Sequence, residues 1–557
     1  MLLASTNSGI VCSALQTLAA LVKRPAQSTK SVRWHGDSVF NAHLFSLSQG
    51  WGGKEEGLGL LSCAIEGGCD ADAFKLASAL HYEFYEDNPS REGVLESGPG
   101  LKVIHIPDVH TRPEGDLLLF KQLVNQYHVP PKLRFSLFTR LRFARAFHSL
   151  ENRRQFICIR LLAFATLLQS NPDHEDLAAF FVNEPEFVNE LVSLLQSGDE
   201  VPEDIRVYAI RALAAQAQDR PRQSNVLNVV SAGGHRGILP SLVQKAVSTT
   251  CSIPFAEAIF FLVTVLVSSS AGCASLREAG LIPTLLPLLK DTNPQRIDLV
   301  ISAVHILEAF MDYSHSAGTL FRDLGGLDDT IMRLQYEVTH VERRAKDERG
   351  EMEVSDKDKS NVSETGTMHM AGNNETLIPY RLRLLLKALL RAIALGTYAS
   401  GNTSRLQGSE ESALPACLCT IFAYAKEFGG GVFSLAASVM SDLINKDPTC
   451  FPTLDAAGLP TAFLDSITAE VLPSSDVVGC IPHALDALCL SNIGMQKVLD
   501  SKALECFVKI FTSRFYLKAL SGDTPAAIAS GLDELMRHAP PLRDPGVDAC
   551  INILKRI

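Results

Sequence analysis

The chain is 557 residues long, 46% hydrophobic and only 7% aromatic, with 62 acidic against 51 basic side chains and a net charge of −11. The acidic balance weighs against broad affinity for nucleic acid or anionic membrane. The length exceeds one compact core, so several domains or a repeat array are expected.

Residues 1–23 can be laid on residues 288–311. Leu2-Leu3 falls on Leu288-Leu289 and Ser5-Thr6-Asn7 on Asp291-Thr292-Asn293, while Ile10, Ala14, Leu15 and Leu18 continue one helical face. The chain is therefore expected to open inside a repeat, as a fragment or a late-started gene model would. Met1 leads into this amphipathic segment without a basic leader, so no secretory signal is expected.

Residues 25–37 read as a polar loop and residues 40–49 as a short helix. The Gly-rich run 50–59 has neither GxGxxG nor GxxxxGK(S/T), which argues against a phosphate cradle. Residues 65–100 read as irregular. The best strand signal in the chain is LKVIHI at 101–106, ended by Pro107. His105, Asp108 and His110 surround that proline, but their spacing matches no standard metal-ligand pattern, and loop histidines are expected.

A helix is predicted over 117–128. In the most basic stretch, 133–149, Arg134, Arg140, Arg142 and Arg145 interleave with Phe135, Phe138, Phe143 and Phe147. Single-stranded nucleic-acid binders use such a pattern. A helix with its aromatics inward and its arginines on the rim is the plainer reading, and the net charge favours it. These four arginines are nonetheless the candidate binding residues. Further helices are expected over 154–168, over 177–196 with a break at Asn183–Pro185, and over 205–218. Glu184, Glu186 and Glu190 read as partners of a helix N-terminus, not as a catalytic pair.

From residue 232 a unit recurs. Gly237-Ile-Leu-Pro240 precedes Gly280-Leu-Ile-Pro283 by 43 residues, and Gly326-Leu327 follows Gly280 by 46. Ala413-Leu-Pro415, Gly458-Leu-Pro460 and Ala503-Leu504 are 45 residues apart in turn. Within a unit, Ile282, Leu285, Leu286 and Leu289 form one helical face, and Ile297, Val300, Ile301, Val304 and Leu307 form the next. Pro287 is expected to disturb the first of these helices. Residues 255–267 are apolar nearly all round and should form an inner helix. The longest apolar run, 258–267, is well short of the ~20 residues of a membrane span. A period near 40–47 with two or three helices per unit is the armadillo/HEAT signature.

The pattern breaks at 338–377, which is charged and then rich in Ser, Thr and Asn, and is expected to be disordered. A helix dense in Leu and Arg follows from Tyr380, then a flexible turn at Gly429–Gly431, a helix over 432–444, and a helical run over 547–557. Thirteen Cys are scattered through apolar runs without a CxxC pair, so they read as buried thiols of a reducing compartment. No Ser, Cys or His arrangement carries a nucleophile signature. No catalytic, cofactor-binding or metal-ligating residue is therefore expected.

Several segments resemble the N-terminal region of the giant HECT-type E3 ubiquitin ligases, most closely the plant members and more distantly the yeast Tom-type and animal Mule-type ones. They are SLSQGWGGKEEGLGL (46–60), VIHIPD (103–108), RFSLFTRLRFARAFHS (134–149), FFVNEPEFVNEL (180–191), SAGGHRGILPSLVQKA (231–246) and MDYSHSAGTLFRDLGGLDDTIMRLQYEV (311–338). The resemblance implies a protein that passes ubiquitin from an E2, through a Cys of its own HECT domain, to lysines of protein substrates gathered by armadillo-like arms. This sequence contains no HECT domain, so no catalytic residue carries over.

The expected architecture is all-α, an armadillo/HEAT-like α-solenoid. Its first block spans 1–337, a charged and polar disordered linker 338–378, and a second block 379–557. The expected role is a non-catalytic substrate-recruiting arm of a HECT-type ligase, in cytoplasm or nucleus, with protein substrates and the parent chain's HECT domain as partners and no membrane. A stand-alone armadillo adaptor and an RNA-contacting solenoid are the alternatives.

Overall fold

The computed structural model describes residues 80–85, 101–106, 112–129, 187–196, 201–358, 378–398 and 413–556, almost without gaps, and scattered positions within 10–17, 131–141 and 158–169. The chain divides into two compact units, Met1–Leu281 and Ile282–Ile557.

In the first unit, β1 (Leu80–Tyr85) and β2 (Leu101–Ile106) pair antiparallel, with Leu80 opposite Ile106 and Tyr85 opposite Leu101. β2 is the stretch singled out as a strand. β1 corrects the reading of 65–100 as irregular: LHYEFY is dense in aromatic residues that suit a pleated backbone, and a paired strand satisfies its peptide groups.

Helices follow: α1 (Asp116–Tyr127), α2 (Phe187–Gln196), α3 (Glu203–Ala217), α4 (Arg220–Val230), α5 (Ile238–Val247), α6 (Ile253–Leu266) and α7 (Ser270–Glu278). α3 packs on α2, α4 and α6, and α5 packs on α2 and α6. α6 is the inner helix its composition predicts, burying nine side chains including Phe255, Phe260 and Leu262. Ser252 caps it by accepting a hydrogen bond from the Phe255 N–H. Residues 13–17 are helical as well: Leu15 is fully buried and Gln16 Nε2 donates to Tyr208 Oη at 2.7 Å.

The second unit contains α8 (Ile297–Tyr313), α9 (His315–Asp323), α10 (Gly326–Asp358), α11 (Tyr380–Tyr398), α12 (Ala413–Ala423), α13 (Gly430–Lys446), α14 (Leu459–Ala469), α15 (Ser475–Leu488), α16 (Asn492–Asp500), α17 (Glu505–Thr512), α18 (Thr524–His538) and α19 (Arg543–Arg556). They form two layers. In one, α8, α11, α13, α15 and α18 each pack on the next; in the other, α10, α12, α14, α17 and α19 do the same. This stepwise stacking is that of an all-α solenoid, and its beat is the sequence period: α12 starts at 413, α14 at 459 and α17 at 505, two steps of 46 residues.

The layers meet in a core of Leu, Ala and Phe. Phe422 of α12 stands edge-on to Phe433 of α13 at 5.1 Å and to Phe463 of α14 at 5.4 Å. Each such pair stabilises by about 0.5–1.5 kcal/mol beyond its buried area. Pro287 acts as expected: the α-helix over Leu281–Leu285 gives way to a 3-10 helix over Leu286–Lys290.

Arg333 holds α10 to that 3-10 turn. It lies buried, donates from Nε to Glu337 Oε1 at 2.8 Å, and from Nη1 to the carbonyls of Leu289 (3.3 Å) and Asp291. It thereby satisfies carbonyls that the end of a helix leaves open.

The charged segment departs from expectation. α10 crosses the anticipated block boundary at 337/338 and continues to Asp358. Glu, Lys and Arg are good helix formers, the Glu342–Lys346 pair (2.7 Å) supports the helix at i,i+4, and Val341 and Ala345 remain buried. Residues 359–377, the rest of the expected disordered linker, lie outside the described residues. The compact units meet at Leu281/Ile282, not at this segment.

Two glycines set the pitch of the turn between a long helix and the short one after it. A Cβ on Gly272 would stand 1.9 Å from Leu266 O, and one on Gly494 would stand 2.1 Å from Leu488 O. Each lies six residues beyond the carbonyl it approaches, in the same place of two repeats. Gly494→Ala is expected to destabilise by more than about 1 kcal/mol because the obstruction is backbone. That lowers the melting temperature by roughly 2–4 °C per kcal/mol. Gly479→Ala on α15, where a Cβ meets open space, should leave it unchanged or raise it slightly. Thermal melts of the two variants check this.

Candidate functional site

The outward side of the layer formed by α8, α11, α13, α15 and α18, here the long-helix layer, is a polar surface that the repeats build together. Each helix presents one stripe at steps of three or four residues. α8 contributes Asp298, Ser302, His305 and Asp312; α11 contributes Arg381, Lys387 and Arg391; α13 contributes Ser434, Ser438 and Asp442; α15 contributes Asp476, His483 and Asp486. The opposite sides of the same helices are closed by Leu, Ile, Val and Ala.

Charges knit the stripes together. Arg381 Nη1 pairs with Asp298 Oδ2 at 3.1 Å. Arg391 reaches two residues of α8, with Nε 2.8 Å from Glu308 Oε1 and Nη2 3.2 Å from His305 Nε2. Lys446 Nζ donates to Ala394 O (3.4 Å) and Thr397 Oγ1 (3.3 Å) at the end of α11. His538 Nδ1 lies 3.2 Å from Asp486 Oδ1 between α18 and α15. Gly431 leaves room for the Lys387 ammonium over the first turn of α13, with Asp476 Oδ2 beyond it. Gly430 admits Ser474, whose Oγ would lie 2.5 Å from an added Cβ. Gly430 and Gly431 are thus helix residues chosen for close approach, where the composition suggested only a flexible turn; Gly429, with φ 80°, makes the turn itself.

Burial, with Arg391 adding to it, lowers the pKa of His305. Burial raises that of Glu308 against the opposing pull of Arg391. Burial also lowers that of Lys446. Desolvation pushes the thiols of buried Cys417 and Cys506 and of half-buried Cys480 and Cys489 up to about 12, and that of half-buried Cys450 to about 11. A thiol so shifted is a poor nucleophile at neutral pH. Among the described residues no group of three His, Cys, Asp or Glu side chains is placed to hold a metal ion, and no helix is long and apolar enough to cross a membrane.

Of the four candidate arginines, Arg134 is described. It is exposed, and its Nε donates to Val129 O at 3.1 Å. Arg140, Arg142 and Arg145 lie outside the described residues, as do Asp108, His110, Glu184 and Glu186. Phe138, the one aromatic of that stretch that is described, is half-buried and stands edge-on to Phe120 of α1 at 5.2 Å, while Leu137 and Leu141 are fully buried. The outward stripe of the long-helix layer was not identified from the residues. Its only signal was the recurrence of polar residues opposite each apolar face.

Alkylation under native conditions, followed by peptide mapping, should modify exposed Cys550 well before buried Cys417 and Cys506. Those two should label only on unfolding, a lag of at least about tenfold for thiols buried in apolar surroundings.

Two family models match the chain: Domain of Unknown Function (DUF908) over residues 77–248 and Domain of Unknown Function (DUF913) over residues 301–557. The E3 ubiquitin-protein ligase UPL1 of Arabidopsis thaliana is 58% identical over 560 residues, covering 100% of this chain and 15% of the relative. The E3 ubiquitin-protein ligase HUWE1 of Mus musculus is 28% identical over 591 residues, covering 100% of this chain and 13% of the relative. The chain thus spans about 15% of the length of its plant relative. Among solved structures, a designed armadillo repeat protein in complex with the peptide (KR)4 aligns at 17% identity and a TM-score of 0.36, over 53% of this chain and 99% of its own.

Proposed function

Because the chain belongs to the giant HECT-type E3 ubiquitin-protein ligases, to whose N-terminal region it corresponds, we propose that it is a non-catalytic arm that recruits protein substrates for ubiquitination. The observation that carries this reading is the outward side of the long-helix layer. It runs over several repeats, is polar, and is tied across by ion pairs between α8 and α11 and by hydrogen bonds between α11 and α13 and between α15 and α18, which suits a surface for a protein or peptide partner. Ubiquitin transfer would belong to the rest of a longer parent chain. A cytoplasmic or nuclear setting goes with the reading, since reduced, buried thiols suit it.

Ser438 and Asp442 of α13 reach solvent at the middle of this surface, so Ser438→Arg with Asp442→Arg adds bulk and reverses charge without touching the core. In the parent ligase the double variant should still accept ubiquitin from E2. It should modify the substrates recruited here at least about tenfold less, the loss expected for removing ~1.4 kcal/mol of binding. Ubiquitin-remnant proteomics against the wild type reads the outcome, and an unchanged substrate profile would remove the surface from the proposal. A stand-alone adaptor remains the second reading. Transcript sequencing beyond the codon for Ile557 separates the two, by whether the reading frame enters a HECT domain.

A further inference from the structure

We propose that Arg391, held between His305 and Glu308, is a proton-sensitive clasp between α8 and α11. His305 and Glu308 lie one turn apart on α8, and a single guanidinium from α11 spans them, with its Nη2 3.2 Å from His305 Nε2 and its Nε 2.8 Å from Glu308 Oε1. A guanidinium only donates hydrogen bonds. The contact to His305 therefore exists only while Nε2 carries a lone pair, with the ring proton on Nδ1. Protonation turns Nε2 into a donor and sets two cations 3.2 Å apart in a half-buried seam.

The surroundings do not relieve that conflict. Arg391 opposes a positive charge on His305, while Arg391 and Asp312 act on Glu308. On the α13 side of α11, Lys446 bonds Ala394 O and Thr397 Oγ1 one turn further on, with Asp442 acting on it. On the α8 side, Asp298 is engaged by Arg381.

The sign follows from the folded state favouring neutral His305. Above pH ~6.5, the ordinary His value, the imidazole is neutral in both folded and unfolded chains and the clasp is whole. As pH falls below that value the unfolded chain takes up a proton that the folded chain resists, and stability is lost until the lowered folded pKa is passed. Glu308 works the other way and lower: its raised pKa restores some stability as it becomes protonated toward its ordinary range. The clasp therefore loosens on mild acidification, and it lies on the stripe proposed above for substrate recruitment without depending on that proposal.

His305→Gln keeps an oxygen acceptor for Arg391 and removes the titration. The chain and this variant are to be melted between about pH 7.5 and about pH 5.5, a range spanning the His transition. The chain should lose roughly 2–4 °C more than the variant, the scale on which loss of a single interaction shows in a unit of this size. Protection of the α11 amides, after allowing for the slower intrinsic exchange at lower pH, should fall on acidification in the chain only. Every other His is common to both proteins, so the difference isolates His305. His305→Asn serves if the Gln variant does not fold. Parallel pH profiles for the chain and either variant would overturn the proposal. So would the same pH difference persisting when Arg391→Gln is added to both, since the clasp requires the guanidinium.

Discussion

A helix pair of this chain carries more apolar surface than it can close by folding on itself, and the neighbouring repeat covers the remainder. In the second unit each long helix therefore lies against the next long helix, and each member of the other layer against its own successor. The hydrophobic effect acts here along a row, and stability accrues from one interface at a time. The composition follows from the same constraint. Leu and Ala interdigitate at close helix–helix spacing, and large rings are confined to the seams, as with Phe422, Phe433 and Phe463.

Stacking of this kind leaves one side of every long helix without a neighbour. That side is free of the packing constraint, and the chain fills it with Asp, Arg, Lys, Ser and His. Successive helices run side by side, so their stripes merge into a surface that no single helix has. The ion pairs across it, Arg381 to Asp298 and Arg391 to Glu308, are partly exposed. Pairs in such settings contribute little to stability, about 0–1 kcal/mol each. Their effect is on register: they fix which residues of neighbouring helices stand together.

Departures from the repeat pattern have local causes. Arg333 interrupts an apolar helix face because carbonyls at the end of the preceding 3-10 turn need a donor. Gly272 and Gly494 recur at one place in two repeats because a short helix begins against the last carbonyls of a long one. Glycine that close to a backbone oxygen is a matter of volume, not flexibility. α10 runs through a charged segment because helix propensity and i,i+4 pairing continue where apolar contacts thin out.

Periodicity in the amino-acid sequence was enough to place helices such as those expected over 117–128, 205–218 and 255–267, the apolar faces of the repeats, the repeat length and the break at Pro287. Each of these depends on residues within about two helical turns, where spacing alone sets which side chains share a face. The family was legible too, in runs of residues whose wording is as specific as their period. Only the tertiary structure decided that β1 pairs with β2, that Arg333 reaches back to Leu289, and that Arg391 finds His305 and Glu308 some eighty residues away. It also decided that the outward stripes adjoin. Those relations join residues from different repeats, and their geometry depends on how one helix is set against the next, which no local pattern encodes.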